Sequence, residues 1–301
     1  MSAIPDAIRN DLEKARRLEY WTIFWQATIV VVMFLVMGSS QAMKTAWIED
    51  LLGLVPARVF LLALHFEQKP PSDRFPYGFA RVNSLAFTVS AAVLLFMGLY
   101  LIFDSGMKLV MGEHPTLGPA PFVGPDLWIG WMMCGALLYS VIPPVILGHL
   151  KQPVARRLQD KVLYTDSLMQ KADWMTGLAG IAGIIGVGYG FWWADSAAAM
   201  FIAFGIVNDG RKQLFTAMAE LVDGAPRKLE SDDIHPEAIE LAKVLRKTFP
   251  NGEVRLRESG RFILAQVDGE VHEDPDLDAL WPGDPDRRWR FRKLTRNLTS
   301  R

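Results

Sequence analysis

The feature that most restricts the fold is a series of apolar runs, each about as long as a bilayer is thick. A helix needs roughly 20 mostly apolar residues to cross the hydrocarbon core. Six runs can be marked, at 20–38, 46–66, 82–103, 127–150, 168–192 and 194–207. The last is short, but its helical pattern continues through 215–222, so it is expected to leave the membrane as one long helix. Pro143 and Pro144 are expected to kink the fourth run near its end. Gly177, Gly180, Gly183 and Gly186 in the fifth permit close approach of a neighbouring helix. Half of the 301 residues are hydrophobic and the mean hydropathy is +0.16, too apolar for a soluble domain of this length. The charged N-terminus shows no cleavage signal, so the first run is expected to stay as a membrane helix.

Apart from Asp195 at the start of the sixth, two of the runs carry charge. The second holds Glu49, Asp50 and Arg58, and the fifth holds Lys171 and Asp173. Ionisable groups at membrane depth are costly and face a bundle interior or a water-filled cavity. These two helices are therefore expected to face each other and to form the working site of a transporter. Glu49 and Asp173 are its centre, handling a cation or protons. The bland alternative is a static ion pair, with Lys171 or Arg58 neutralising one acid. Lys171 lies two residues from Asp173, so the two diverge by about 200° around one helix. Asp50 adjoins Glu49, and Asp166 lies seven residues before Asp173 on the same helical face. Either joins the site or caps a helix at headgroup level. Asp195, at the start of the sixth run, reads as a helix N-cap.

The connecting segments set orientation, because Lys and Arg favour the cytoplasmic side. Basic segments (Arg9, Lys14, Arg16 and Arg17; Lys69, Arg74 and Arg81; Lys151, Arg156, Arg157 and Lys161) alternate with segments holding one basic residue or none. Both termini are thus expected in the cytoplasm, with residues 1–19 as an N-terminal segment and 20–226 as the transmembrane domain. The formal net charge of −1 gives no pull toward nucleic acid. Cys134 is the single cysteine, which excludes an internal disulfide and a multi-thiolate metal site.

After Pro226 the composition becomes that of a soluble domain, residues 227–301. Residues 236–248 read as an amphipathic helix, with Asp233 or His235 near its start and Pro236 in the first turn. Residues 253–258 and 261–271 alternate around Ser259-Gly260, a hairpin pattern. The tail is expected to hold a short helix near 288–298. A domain of this size is near the lower limit of independent stability, so dimerisation would help it.

Four local patterns resemble the cation diffusion facilitator family. Gly38-Ser39 precedes the second run. Phe75-Pro76-Tyr77-Gly78-Phe79-Ala80-Arg81 stands where the family has His-Pro-Tyr-Gly-x-Gly-Arg/Lys. Ala194-Asp195 opens the sixth run. Leu221-Val222-Asp223 with Pro226 is similar to the family's Leu-Leu-Asp-x-x-x-Pro, one residue shorter. The resemblance covers about residues 12–270. It implies a six-helix transmembrane bundle with a small cytoplasmic α+β (ferredoxin-like, αββ) C-terminal domain. It also implies a homodimer in the lipid bilayer of a bacterial inner membrane. The activity implied is export of a divalent metal cation in exchange for protons, with no tightly bound cofactor and no enzymatic reaction.

The family's ligands form two (i, i+4) pairs on the second and fifth helices, a spacing that puts both members on one face. Alignment on the motifs puts these pairs at Glu49 and Gly53, and at Met169 and Asp173. Gly53 has no side chain. Met169 reads mainly as packing, although its thioether is a soft ligand that suits copper(I) better than zinc. A set completed by Asp50, Asp166 and water would favour a harder ion. At two further family metal positions the chain has Ser72, Phe75 and Phe79, then Gly252 and Gln266. A transport-inactive relative with a structural or regulatory role is the competing reading.

Overall fold

The computed structural model of the chain describes residues 5–36, 41–112, 129–189, 191–250, 252–268 and 276–297. Six long helices come first: α1 (Asp6–Val36), α2 (Gln41–Glu67), α3 (Arg81–Met111), α4 (Ile129–Leu158), α5 (Lys161–Gly188) and α6 (Ala194–Leu221). Three stretches, Asp6–Val36, Arg81–Met111 and Met132–Leu158, are long and apolar enough to cross a membrane. The first, third and fourth helices extend well past the apolar runs that mark them, and α4 continues through Pro143, Pro144 and Pro153. Gly38-Ser39 lies outside the described residues. The expected cap at Asp195 is not found: Trp193 holds the cap position and Asp195 is already the second helical residue.

Packing divides the bundle around two central helices. α3 lies along α6, and α4 lies along α5. Between them, α2 touches α1, α3 and α5, while α5 touches α2, α3, α4 and α6. The close approaches depend on missing side chains. A Cβ on Gly210 of α6 would stand 2.7 Å from the Leu95 backbone, and one on Gly177 of α5 would stand 2.6 Å from Val141. Phe96, Phe103, Ile146, Phe201 and Phe204 are exposed on the outside of the bundle. Such an apolar surface is what a hydrocarbon surround accommodates.

The C-terminal unit contains α7 (Pro236–Thr248), β1 (Glu253–Ser259), β2 (Phe262–Asp268), a 3-10 turn (Pro285–Arg290) and β3 (Phe291–Asn297). Leu241 and Leu245 of α7 pack on Ile263, Ala265 and Val267 of β2 and on Phe291 of β3. Of the two expected caps, His235 is the one used: Glu237 N donates to His235 Nδ1 at 3.3 Å. The hairpin turn is Gly260-Arg261, one residue later than expected, with Ser259 paired to Phe262. Gly260 takes φ +60°, which a glycine adopts without steric cost.

The tail forms a strand where a helix was expected. Phe291 and Leu294 are three apart, a helical spacing. β3 runs parallel to β2, and its register skips Arg292, so Phe291 faces Ile263 while Lys293 faces Leu264. That bulge turns both Phe291 and Leu294 toward the core despite their odd separation.

The hairpin tip is seated in the ends of the long helices. Gly260 N donates to Ser84 Oγ of α3 and to Glu220 Oε1 of α6, each at 3.0 Å. Arg261 Nε donates to Asp160 Oδ2 at 2.6 Å, and its Nη1 donates to Glu67 Oε2 at 2.5 Å. Lys161 of α5 donates to Glu258 of β1 and to Glu220. Burial opposes the Arg261 charge, but the Glu67 and Asp160 carboxylates outweigh it and hold the guanidinium above its ordinary range. Both central helices are thereby tied to β1 and β2 by buried ion pairs.

His235 makes this unit acid-sensitive. Burial, helped by Arg290, pushes its imidazole from the usual 6.5 down to about 4. Between those values the unfolded chain takes up a proton that the folded unit refuses. The contribution is therefore present above pH 6.5 and is lost as pH falls toward 4. The expected loss is on the order of 2 kcal/mol. His235→Asn, which keeps an acceptor at the cap, is expected to flatten it. Chemical unfolding of the full chain in detergent across that pH range, followed by tryptophan fluorescence, measures the difference.

Candidate cation site

Three helices carry stripes of buried polar side chains, which gather into two neighbouring groups. On α1, Glu19, Thr22 and Gln26 are buried at spacings of three and four, so they share a face. On α5, Asp166, Gln170 and Asp173 are buried at spacings of four and three. On α2, Glu49 and Asp50 are buried one turn before Gly53. Gln26 joins the helices: its Nε2 donates to the Asp50 carbonyl oxygen at 3.1 Å and to Asp50 Oδ1 at 3.3 Å.

Gly53 determines how close α5 comes. A Cβ there would stand 3.2 Å from Asp173 Oδ2 and 3.2 Å from Gln26 Nε2. The place where the family pattern would put a ligand is thus taken by the Asp173 carboxylate and the Gln26 amide. Asp173 is buried, and neither of its carboxylate oxygens has a hydrogen-bond partner. Asp50 and Glu49 lie within its electrostatic range, Asp50 acting the more strongly. Two acids from α2 and one from α5 therefore share a buried region with an amide from α1, and one acid has all its acceptor capacity open. Among the described residues, no three His, Cys, Asp or Glu side chains converge in ligand geometry.

The other expected site residues lie elsewhere. Asp166 is held by Lys151 of α4, which also donates to Glu19 Oε2 at 2.9 Å. Met169 is fully buried in an apolar cluster with Leu94, Met97, Leu101, Ala203 and Ile206 of α3 and α6. Arg58 and Lys171 are exposed, and neither reaches Asp173. The static pair that would have immobilised Asp173 does not form. His65 and His149 are exposed, and His235 caps α7.

Sequence reasoning missed Gln26, Glu19 and Lys151. Lys151 reads as a loop cation, yet it has no exposure at all. The available signal was the helical spacing of Glu19, Thr22 and Gln26 at the start of a span that is otherwise apolar. Chemically, the region offers the carboxylate oxygens of Glu49, Asp50 and Asp173, with the Gln26 amide nitrogen turned toward Asp50. Such a set suits hard divalent cations, whereas zinc sites favour His and Cys.

The family model described as the cation efflux transmembrane domain matches residues 22–222. The chain is 22% identical over 261 residues to the magnetosome protein MamB of Magnetospira sp. (strain QH-2), covering 86% of this chain and 83% of that protein. It is 21% identical over 257 residues to the cation-efflux pump FieF of Shewanella oneidensis, covering 85% and 81%. It is 20% identical over 185 residues to the manganese efflux system protein MneS of Bacillus subtilis, covering 62% and 60%.

Proposed function

Because this chain belongs to the cation efflux family of membrane transporters, the cation diffusion facilitators, we propose that it exports a hard divalent cation in exchange for protons through the region between α2 and α5. It is an integral membrane protein of a transporter family, not an enzyme. The observation that carries the reading is Asp173: buried, with both oxygens unpartnered, opposite Asp50 and Gln26. A buried charge without a partner is costly, so such a group is retained where a charged ligand visits. Asp50 and Asp173 hold the cation, Gln26 positions Asp50, and Glu49 adds negative charge nearby. Protons and the cation compete for the same carboxylates, and that competition couples their movements.

In this reading α2, α5 and α6 also cross the bilayer, giving six spans in a homodimer with both termini in the cytoplasm of a bacterium. The all-oxygen set favours manganese or magnesium over zinc. The names of MneS and of the related MneP, both manganese efflux system proteins, support the first. Vesicles holding the reconstituted protein and a pH dye test this with manganese, magnesium, iron, cobalt, cadmium and zinc. Manganese-driven proton flux is expected. A second reading, a transport-inactive relative with a structural role, is favoured by Gly53 and Met169 at the aligned ligand positions. No flux and no stabilisation by any of these ions would establish it instead.

A further inference from the structure

A second group of ionisable side chains lies beside the cation site, and the charges of two members, Asp166 and Lys151, reach Asp173. Glu19 of α1, Lys151 of α4 and Asp166 of α5 have no solvent exposure. Lys151 Nζ donates to both carboxylates. The charges acting on Glu19 are those of Asp166 and Lys151, and the charges acting on Lys151 are those of the same two acids.

The charges do not balance. Two ionised acids and one ammonium leave a net −1 with no solvent exposure to screen it, a costly arrangement. The hydrogen bonds do not balance either. Glu19 Oε1 and Asp166 Oδ1 are buried and without a donor. Both carboxyl groups accept from the one Lys151 Nζ, which brings them side by side. One proton between them corrects both deficits: it brings the group to neutrality and supplies the missing donor.

One buried polar side chain lies between this group and the cation site along α5. Gln170 lies one turn from Asp166 and one turn from Asp173, on the same face of α5. It is fully buried, and neither its amide nitrogen nor its oxygen has a partner. It packs against α4 at Gly148, one turn from Lys151, where a Cβ would stand 3.2 Å from Gln170 Cβ.

We infer that Glu19, Lys151 and Asp166 form a proton station, which receives the proton displaced from the cation site and releases it at the helix ends that carry the C-terminal unit. The O–H bond on the site carboxyl breaks as the cation arrives. The proton passes along the α5 face that carries the unpartnered Gln170 amide, and an O–H bond forms on Glu19, beside Asp166. The station goes from −1 to neutral, and it returns to −1 on release. Lys151 stays an ammonium throughout and keeps the empty station from holding two uncompensated negative charges. This role rests on the proposed exchange of cation for protons.

The test compares wild type, Glu19→Gln, Asp166→Asn and Asp173→Asn, all full-length. Difference infrared spectra near neutral pH are expected to show the carbonyl stretch of a protonated carboxylic acid. One component should vanish in Glu19→Gln and Asp166→Asn and persist in Asp173→Asn. In vesicles, Glu19→Gln should bind manganese with wild-type affinity, lose at least roughly 10-fold in manganese-driven proton flux, and show a flattened pH profile. Asp173→Asn should lose manganese binding itself. If Glu19→Gln and Asp166→Asn both keep the infrared component and the pH profile, the station is overturned while the cation site stands. If wild type shows no flux with any ion, the exchange reading fails. The infrared component alone then decides whether the triad holds a proton. Should one variant fail to fold, the other gives the same reading.

Discussion

Asp173→Asn is expected to lower manganese-driven proton flux at least about 100-fold, because a buried charge partner of the cation is removed. It should also remove manganese-induced stabilisation, which for wild type amounts to about 2.7 kcal/mol at one hundred times Kd. The cation-free variant should unfold within about 1 kcal/mol of wild type. The reasoning is local. Neither Asp173 oxygen receives a hydrogen bond, so the fold gains no stability from that carboxylate which an amide of the same shape would forfeit. A visiting divalent ion needs the charge, and the amide supplies none. Asp50→Asn should show a similar loss of flux together with a structural cost, since Asp50 Oδ1 accepts from Gln26. Thermal unfolding in detergent with and without manganese separates the two effects. An Asp173→Asn protein that still gains stability from manganese would place the ion elsewhere.

The second large effect lies at the other end of the bundle. Arg261→Met is expected to destabilise the protein by about 3–5 kcal/mol, the usual cost of removing one member of a buried ion pair. Arg261 is 2% exposed and bridges Asp160 to Glu67, joining the start of α5 to the end of α2. Its removal leaves two carboxylates with their shared cation gone. Asp160 also accepts from Leu163 N at 2.9 Å and so caps α5. The hairpin should leave its seat, and limited proteolysis should cut between α6 and α7, at 223–235, faster than in wild type. Arg261→Lys should recover only part of the stability, because a single ammonium does not reproduce the forked guanidinium contacts. Wild-type proteolysis kinetics in Arg261→Met would show that the seat is held by the neighbouring Lys161 contacts instead.

Much of this arrangement is legible in the residues, for a physical reason. Burying Glu49, Asp50 and Asp173 in apolar runs is expensive, so their presence alone points to two helices facing inward. The start of α7 is equally legible, because Pro236 fits only the first turn and a capping side chain must precede it. What fails is whatever depends on a third partner. Lys151 lies at the edge of an apolar run, and from the sequence it is indistinguishable from a loop cation. Only the approach of α1 and α5 buries it between Glu19 and Asp166. Gln26 is uncharged, so it raises no alarm within a span, yet it is the side chain that joins α1 to Asp50. β3 is hidden for a different reason. The bulge at Arg292 gives a strand the residue spacing of a helix, and that irregularity is visible only once β2 lies beside it.

The most direct test of the central claim is anomalous X-ray diffraction from crystals of the full-length protein grown with manganese. The account predicts a peak between α2 and α5, with carboxylate oxygens of Asp50 and Asp173 within about 2.0–2.6 Å of it. A manganese peak only in the C-terminal unit, or none near Asp173 at saturating manganese, would contradict it.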